Sequence, residues 1–445
     1  MQKQMIIGIL VAIAPSVFGA GQADSVRTMT LKDCMEYAVA NSTKIKVQQS
    51  NVDDAQINRR EAILTALTPT VSASVGADYS FGRSIDPESN TYFNTMSFGN
   101  NYSLSAGIDL FNGFSAVNNV RVSKTALAIT QSEQKQTEAE ICLAVMQAYY
   151  NVVYYNRLCQ LFEEQIETAK QSLARMRRQE ELGQKSRADV VQLEAELADR
   201  EYDLANTRQI CDEQMMTLSD LMLFPMDEQL TVDTVMPEPV AGTLTVDDVV
   251  GFALSNNPSV KIAGMNAERA RLELSTARWQ RLPRLSASTG WSSGYYSYEG
   301  VPAESFSNQI RNHGGEYVGL SLSIPIYNRL HGQSNVAHKK NSYVRATAEL
   351  EQKNRETESA VRKAFSECDA AMTAYLQSQK KTEIQQEAYQ LNMKKMEQGL
   401  ISGLEYQTAV NNYLKAQSDN MNSLFRYLIK QSVVKYYSGI EYVNQ

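Results

Sequence analysis

The second half of the chain repeats the first, and this internal duplication constrains the fold more than any other feature of the sequence. The matching segments are 30–33 with 245–248, 69–74 with 283–288, and 108–112 with 324–328. The spacing between the copies shifts by about two residues, and only across a predicted loop, where length changes are tolerated. The chain is therefore predicted to be one structural unit used twice, with repeats at 24–242 and 243–445.

Each repeat is predicted to begin with a helix followed by two strands. The helices run from about Thr30 to Ala66 and from about Thr245 to Arg281, and each ends near a proline. Apolar and small polar residues then alternate with period two, which indicates strands. These strands are predicted at 71–80, 102–111, 285–296 and 318–326. A length of about ten residues suits a tilted strand that crosses an outer membrane.

A very long helical hairpin follows the strands of each repeat. The first arm, Phe114 to Gly183, is about 69 residues, or roughly 100 Å of helix. The returning arm, Ser186 to Phe224, is about half as long, and its apolar residues recur every seven positions, as in a coiled coil. Two short helices stacked end to end would match one long helix. The proline-bearing segment from Phe224 to Gly242 is predicted to cross between the repeats.

The N-terminus has the pattern of a signal peptide, assigned to residues 1–23. Lys3 precedes the apolar run Met5–Ala14, and small residues follow with a cleavage point between Gly19 and Ala23. We therefore expect the mature protein to be exported. The net charge of −7 excludes a generally basic surface for binding nucleic acid.

The rest of the sequence contains no apolar run long enough for a membrane-spanning helix, so entry into a membrane would require strands of a closed barrel. Four strands cannot close alone. Two chains would supply eight strands, a number that side chains nearly fill, whereas three chains would supply twelve and leave a lumen. Because a conduit needs a lumen, three copies are favoured.

Aromatic residues cluster at the predicted strand ends, where membrane proteins place rings at the lipid–water interfaces. They are Tyr79, Phe81, Tyr102, Phe111, Trp291, Tyr295, Tyr296, Tyr317 and Tyr327. Ordinary strand propensity is the alternative explanation. Small polar residues on the opposite face of each strand favour the interpretation of these aromatic residues as membrane-interface residues.

Taken together, the chain resembles the TolC family of outer-membrane efflux and secretion channels over about residues 26–443. The resemblance rests on the strand-to-helix junctions at 104–113 and 320–328 and on the helix tips at 182–190 and 398–406. It implies a mixed α/β membrane protein: a trimeric, 12-stranded β-barrel in the outer membrane, continuous with a periplasmic coiled-coil α-barrel. It also implies docking to a periplasmic adaptor of an inner-membrane transporter.

By the same resemblance, the helix tips form the closable entrance and the adaptor contact. The matching positions are Gly183, Ser186, Asp189, Gly399, Ser402 and Glu405. Local capping explains the same residues: glycine ends one helix, serine caps the next, and an acid suits the dipole of the first turn. Both interpretations are open at the level of sequence.

Catalytic, metal and cofactor sites are not predicted. The segment at 290–294 fits G-x-S-x-G, but that motif needs a strand–turn–helix context, whereas here it falls in a predicted strand. The three histidines, His313, His331 and His338, lack metalloprotease spacing, and there is no phosphate-binding loop. The five scattered cysteines are interpreted as small apolar residues on helix faces.

The sequence therefore predicts an outlet duct of a tripartite efflux pump or a type I-like secretion system, in the outer membrane and extending into the periplasm. Its predicted partners are two further copies of itself, an adaptor, an inner-membrane transporter and outer-membrane lipid. The alternatives are a periplasmic coiled-coil scaffold without a pore and a general diffusion porin. Helices of roughly 100 Å would serve no purpose in a porin.

Overall fold

The predicted duplication is visible in the order of helices and strands. The computed structural model describes residues 28–85, 90–225, 228, 230–234, 245–300, 302–398 and 400–445. The predicted signal peptide and the predicted boundary between the repeats, 242/243, lie outside these residues, so both stay predictions.

The first copy contains a short strand, then helices and strands in the predicted order, then a second short strand. Its elements are β1 (Thr28–Met29), α1 (Leu31–Asn41), α2 (Thr43–Leu67), β2 (Thr70–Ile85), β3 (Tyr92–Phe111), α3 (Ser115–Glu181), α4 (Arg187–Met222) and β4 (Thr231–Val232). The second copy adds one short helix between its strands. Its elements are α5 (Val246–Asn256), α6 (Pro258–Trp279), β5 (Arg284–Tyr298), α7 (Phe306–Asn312), β6 (Gly315–Ser323), α8 (His331–Glu397) and α9 (Gly403–Tyr437), followed by a 3₁₀ turn at Tyr442–Asn444.

The prediction of one continuous helix at the start of each repeat is wrong. Both helices break at equivalent positions, Ser42 and Asn257, where the backbone is extended (ψ 128° and 130°). At the second break, the Asn257 side chain accepts a hydrogen bond of 3.0 Å from the amide of Ser259. Pro258 occupies the first position of α6, where its missing N–H costs nothing. The break at Ser42 has no comparable signal in the sequence.

The long helices form the frame of the molecule. The prediction that two short helices, stacked end to end, match the length of one long helix is confirmed. Helices α3 and α8 have 67 residues each, or about 100 Å of helix. Both α1–α2 and α4 lie along α3, and α1 meets the end of α4. Helices α5–α6 and α9 lie along α8 in the same way, and α6 lies between α3 and α8.

The main hydrophobic core lies where the stacked helices meet. Cys34 and Met35 of α1 pack there with Met146 of α3 and with Leu218 and Met222 of α4. Strand β4, which follows α4, pairs in parallel with β1, which precedes α1. This pairing holds the segment after α4 beside the main core. None of the helices in the described part of the chain combines the length and the apolar character needed to cross a membrane.

The four long strands form one antiparallel sheet in the order β2-β3-β5-β6. Strands β2 and β3, with 16 and 20 residues, are longer than the predicted ten. Strand β6 has 9 residues and ends at Ser323, not at residue 326 as predicted. The apolar alternation continues past Ser323, but Pro325 has no N–H to donate to a sheet. Strands β2 and β6 form the two edges of the sheet.

Candidate functional site

The first helix tip, between α3 and α4, is a compact turn built by its own side chains. Gly183 has φ +68°, a conformation that favours glycine. The amide of Gln184 donates to the carbonyl of Gln179 at 2.8 Å and closes the end of α3. Ser186 begins α4 with a capping box, in which Asp189 Oδ2 accepts from the Ser186 amide at 3.1 Å and from its hydroxyl at 2.8 Å. These bonds to Ser186 hold the pKa of Asp189 below its usual value.

The second tip, between α8 and α9, repeats this geometry. The amide of Leu400 donates to the carbonyl of Lys395 at 2.9 Å, which matches the bond that closes α3. Ser402 forms the second capping box with Glu405, whose Oε2 accepts from the Ser402 amide at 3.1 Å. Gly399 lies outside the described residues. The structure thus places Ser186, Asp189, Ser402 and Glu405 in local caps, and it places both tips at the same end of the molecule.

The two hairpins, α3–α4 and α8–α9, touch each other near the tips. Gln192 Nε2 of α4 donates to Gln407 Oε1 of α9 at 3.4 Å. A Cβ atom added to Gly403, the first residue of α9, would lie 3.9 Å from Cγ of Gln192. Leu173 and Val190 of the first hairpin share a core cluster with Met396 of the second.

A buried charged pair reinforces this contact. Glu196 and Arg200, one turn apart on α4, are 6% and 5% exposed. Arg200 Nη2 lies 3.5 Å from Glu196 Oε1 and donates to Asn411 Oδ1 of α9 at 2.7 Å. Burial raises the pKa of Glu196, while the charge of Arg200 opposes that shift. The sequence pattern did not single out this pair, because charged residues on a helix are usually solvated.

The two faces of the sheet differ sharply in chemistry. Residues opposite one another on paired strands lie on the same face, so the register assigns every strand residue to a face. One face carries Val71, Val75, Tyr79, Phe81, Phe98, Tyr102, Leu104, Ile108, Trp291, Tyr295, Val318, Leu320 and Leu322. The other carries mainly serine, glycine and asparagine. On that face, the hydroxyls of Ser72 and Ser105 lie 2.9 Å apart, and those of Ser74 and Ser103 lie 2.7 Å apart.

Most aromatic residues of the apolar face form two levels, but Trp291 pairs with Leu104, about midway between Phe98 and Phe111 on β3. Around the outer level, the ring of Phe98 lies 4.7 Å from Tyr79 and 6.4 Å from Tyr295. At the helical end, Phe111 closes β3, and its ring lies 5.2 Å from that of Phe114. From Phe98 to Phe111 is about 43 Å along the strand, which becomes about 30 Å across a membrane at a tilt of about 45°. This spacing matches the thickness of a bilayer core.

Three further aromatic residues singled out in the sequence lie off the apolar face. Tyr317 and Tyr296 lie on the small polar face, where the ring of Tyr317 covers Gly290 so closely that a Cβ atom there would be 2.7 Å from it. Tyr327 follows the end of β6 and is 77% exposed. Sequence inspection missed Phe98 and Phe306. Phe98 lies within the part of β3 that extends beyond the predicted strand.

The G-x-S-x-G segment is continuous strand within β5, not a strand-to-helix turn. Among the described residues, no group of histidine, cysteine and acidic side chains could hold a metal ion. The interpretation of the cysteines as packing residues is confirmed: all five are free thiols, of which four are buried and Cys368 is partly buried. Burial raises the pKa of Cys34 and Cys142 to about 12.

Comparison with known sequences gives matches over most of the chain. The profile of the family described as outer membrane efflux protein matches residues 35–222 and 249–435, one segment in each repeat. The protease secretion protein PrtF of Dickeya chrysanthemi is 21% identical over 367 residues, covering 81% of this chain and 76% of PrtF. The outer membrane protein TolC of Escherichia coli (strain K12) is 28% identical over 207 residues, covering 45% of this chain and 40% of TolC.

Comparison with solved structures gives matches over nearly the whole chain. The structure of CusC, described as a transmembrane channel, superposes with a TM-score of 0.75 at 17% identity and covers 92% of each chain. The outer membrane protein VceC of Vibrio cholerae superposes with a TM-score of 0.73 at 15% identity, covering 92% of this chain and 96% of VceC. At these identities the superpositions show a shared fold.

Proposed function

The chain belongs to the outer membrane efflux protein family, and on that premise we propose that it is the exit duct of a tripartite efflux pump or a type I-like secretion system. The duct conducts substrates passively from a periplasmic adaptor and an inner-membrane transporter to the outside. The observation that carries the proposal is the joining of a two-faced sheet to helices of about 100 Å. The sheet suits insertion into a membrane, and the long helices suit the span of the periplasm.

Three copies of the chain form the duct. The sheet has two open edges, β2 and β6, and open edges are not tolerated in lipid. Pairing β2 of one protomer with β6 of the next closes twelve strands from three chains and leaves a lumen. The apolar face then contacts lipid, with Tyr79, Phe81, Tyr295 and Phe111 at the interfaces and with Tyr102 and Trp291 between them. The face rich in serine and glycine, which carries Tyr317, lines the lumen.

The tips form the entrance and the adaptor contact in this proposal. The capping boxes at Ser186 and Ser402 keep each tip compact, so opening moves whole hairpins and leaves the turns intact. Movement of one hairpin past the other must break the contacts of Gln192 with Gln407 and of Arg200 with Asn411. These contacts therefore favour the arrangement of the hairpins seen here, which we assign to the closed state of the proposed gate.

The duct itself is tested by recording purified protein in planar lipid bilayers. We expect conductance steps, and the complete absence of conductance, open or gated, would contradict a duct. Deleting the gene is expected to sensitise cells to toxic compounds that the cognate transporter exports. A general diffusion porin predicts no such sensitisation, and a scaffold without a pore predicts no conductance.

The gate is tested with a disulfide across the two hairpins. Gln192→Cys combined with Gly403→Cys places two thiols at this contact, where a Cβ atom on residue 403 lies 3.9 Å from Cγ of Gln192. We expect the oxidised double variant to assemble normally and to show reduced open conductance, restored by a reductant. Gly403→Cys alone is the control and should respond to neither oxidant nor reductant. Full conductance in a verified cross-linked protein would exclude the gate at the tips while leaving the duct in place.

A further inference from the structure

The fourth strand of the sheet stops halfway up its neighbour. Strand β6 has 9 residues, whereas β5 has 15 and β2 has 16. Pairing of β6 with β5 begins at Gly315 opposite Ser292. Residues 293–298 of β5 therefore pair with β3 on one side but have no β6 residues on the other.

The short helix α7 occupies this place and bonds to β5 much as a strand would. Gln309, 3% exposed, accepts from the amide of Tyr296 at 3.0 Å and donates to its carbonyl at 3.0 Å. A primary amide offers the same donor and acceptor as a peptide group. The Ser293 hydroxyl donates to the carbonyl of Ile310 at 2.6 Å, and His313 Nδ1 donates to the carbonyl of Gly294 at 2.9 Å.

The opposite side of α7 is open and concave. A notch of about 770 Å³ lies between α7 and the start of β6, with Trp291, Phe306, Ile310, Arg311 and Glu316 among its lining residues. Phe306 is 51% exposed and Trp291 is 36% exposed. The register puts Trp291 and Glu316 on the apolar face of the sheet, the same face as Phe81, so the notch opens on that face beyond the start of β6.

Strand β2, at the other edge of the sheet, is too long for the strand it must meet. Both edge strands leave the helical frame at the same end of the sheet, β2 starting at Thr70 and β6 ending at Ser323. The nine residues of β6 can therefore pair with β2 only from residue 70 to about residue 78. The shift between neighbouring strands in a barrel would extend this pairing only slightly. The outer part of β2 extends past Gly315, and its Phe81 is 78% exposed.

We propose that the outer part of β2 in one protomer packs into the notch beside α7 of its neighbour, with Phe81 against Phe306 and Ile310. Helix α7 then takes the place of the missing half of the fourth strand, between β5 of its own protomer and β2 of the neighbour. In this way it completes the barrel wall between protomers. This inference rests on the trimeric duct proposed above. The seam between protomers has two parts: strand pairing at the helical end, and helix-to-strand packing at the outer end.

The test is site-specific cross-linking in the full-length protein. Phe81→Cys with Ser307→Cys probes the outer part of the seam, and Ser72→Cys with Ser321→Cys probes the strand-paired part. Each purified double variant is treated with a short bis-methanethiosulfonate reagent, and products joined between protomers are separated in denaturing gels. We expect both pairs to give products joined between protomers, whereas each single variant gives none.

The outcomes separate this inference from the function on which it rests. If Ser72/Ser321 cross-links and Phe81/Ser307 does not, the packing of α7 on β2 is wrong and the notch is left to lipid, while the trimer stands. If neither pair cross-links and the protein is monomeric by mass photometry, the trimeric duct fails as well.

A third variant checks that Gln309 holds α7 in place. Gln309→Met keeps the length of the side chain and removes both hydrogen bonds to Tyr296, together with the bond to the carbonyl of Glu304 at 3.2 Å. We expect it to lower the yield of the Phe81/Ser307 product by roughly tenfold, because the two backbone groups lose their partner on this side. The Ser72/Ser321 yield should stay unchanged, which shows that the protein still folds and assembles. An unchanged Phe81/Ser307 yield would contradict the role given to α7.

Discussion

Serine and an acidic residue three positions later begin the returning helix at both tips. At each site the serine oxygen accepts from a backbone amide while the carboxylate accepts from the serine amide. Capping is local, so Ser186, Asp189, Ser402 and Glu405 were recognisable from sequence spacing alone. Gln309 was not recognisable, because its partner Tyr296 lies on another element and only the shortness of β6 makes the bond necessary.

The cap at Asp189 predicts a pH dependence of the first tip. The pKa of Asp189 is lowered in the folded protein by its bonds to Ser186. Its contribution to the first turn of α4 is therefore fully present above the ordinary value of about 4 and is lost as pH falls through the folded value. We expect amide hydrogen exchange in the first turn of α4, corrected for intrinsic rates, to lose protection as pH falls below about 4.

Two variants serve as controls for that measurement. Asp189→Asn should show reduced protection that no longer changes over this pH range. Ser186→Ala should destabilise the turn by about 1 kcal/mol at neutral pH. An equal pH response in Asp189→Asn would assign the titration to another group.

Among the helices, α4 packs against both α3 in its own hairpin and α9 in the other hairpin. Of its predicted heptad residues, Leu197 is partly buried, and the other four are buried: Val190, Leu204, Cys211 and Leu218. Glu196 and Arg200 are buried as well, because a second side of the same helix faces α9. Sequence periodicity identifies the stripe that packs in the hairpin, but the second interface depends on how the two hairpins are placed.

Helix α4 offers a matched pair of charge variants. Arg200→Met leaves Glu196 buried without its cation and should cost about 3–5 kcal/mol. Arg208→Met removes an exposed ion pair with Glu163 and should cost at most about 1 kcal/mol. The readout is the urea midpoint for loss of helical circular dichroism in detergent. Equal midpoints for the two variants would show that the buried pair does not stabilise the hairpins.

The sheet makes a prediction from two adjacent residues of β2. Val75 lies on the apolar face and is 74% exposed, whereas Ser74 lies on the small polar face. Val75→Arg should impair insertion, because arginine costs about 2–4 kcal/mol on a lipid-facing strand near the bilayer midplane. Ser74→Arg should insert normally and shift conductance toward anions.

Both variants are compared by the fraction of heat-resistant trimer in outer membranes and by ion selectivity in planar bilayers. Normal insertion of Val75→Arg together with failure of Ser74→Arg would reverse the assignment of the two faces.

The whole molecule is a rod whose length is set by matched helices. Ion pairs mark which residues of the hairpin arms lie side by side: Glu163 with Arg208, Lys170 with Glu201, and Lys381 with Asp419. These pairs identify segments that can be removed together without shifting the arms against one another.

Removing 163–169, 201–207, 379–385 and 417–423 together deletes one heptad from each arm. The apolar stripes stay in register, and the tube shortens by about 10 Å. We expect normal trimers, shorter in negative-stain images, that no longer restore resistance in a deletion strain, because the tips fall short of their partners.

Deleting five residues from each arm instead rotates the stripes out of register and should prevent assembly. Full resistance with the shortened rod would argue against a fixed length requirement.

The sequence by itself determined the duplication, the long helices, the alternating strands and the capped tips of this protein. All of these follow from local spacing: 3.6 or 7 residues for helices, 2 for strands, and 3 for a capping box. Asn257 followed by Pro258, and Pro325 beyond β6, are local signals as well, for the second helix break and for the early end of β6. Only the tertiary structure decided the break at Ser42, the buried pair on α4 and the docking of α7. These features depend on contacts between elements far apart in the chain, such as Gln309 with Tyr296 or Arg200 with Asn411. Their free energy comes from burial and from the satisfaction of polar groups, and no local pattern encodes which neighbour supplies it.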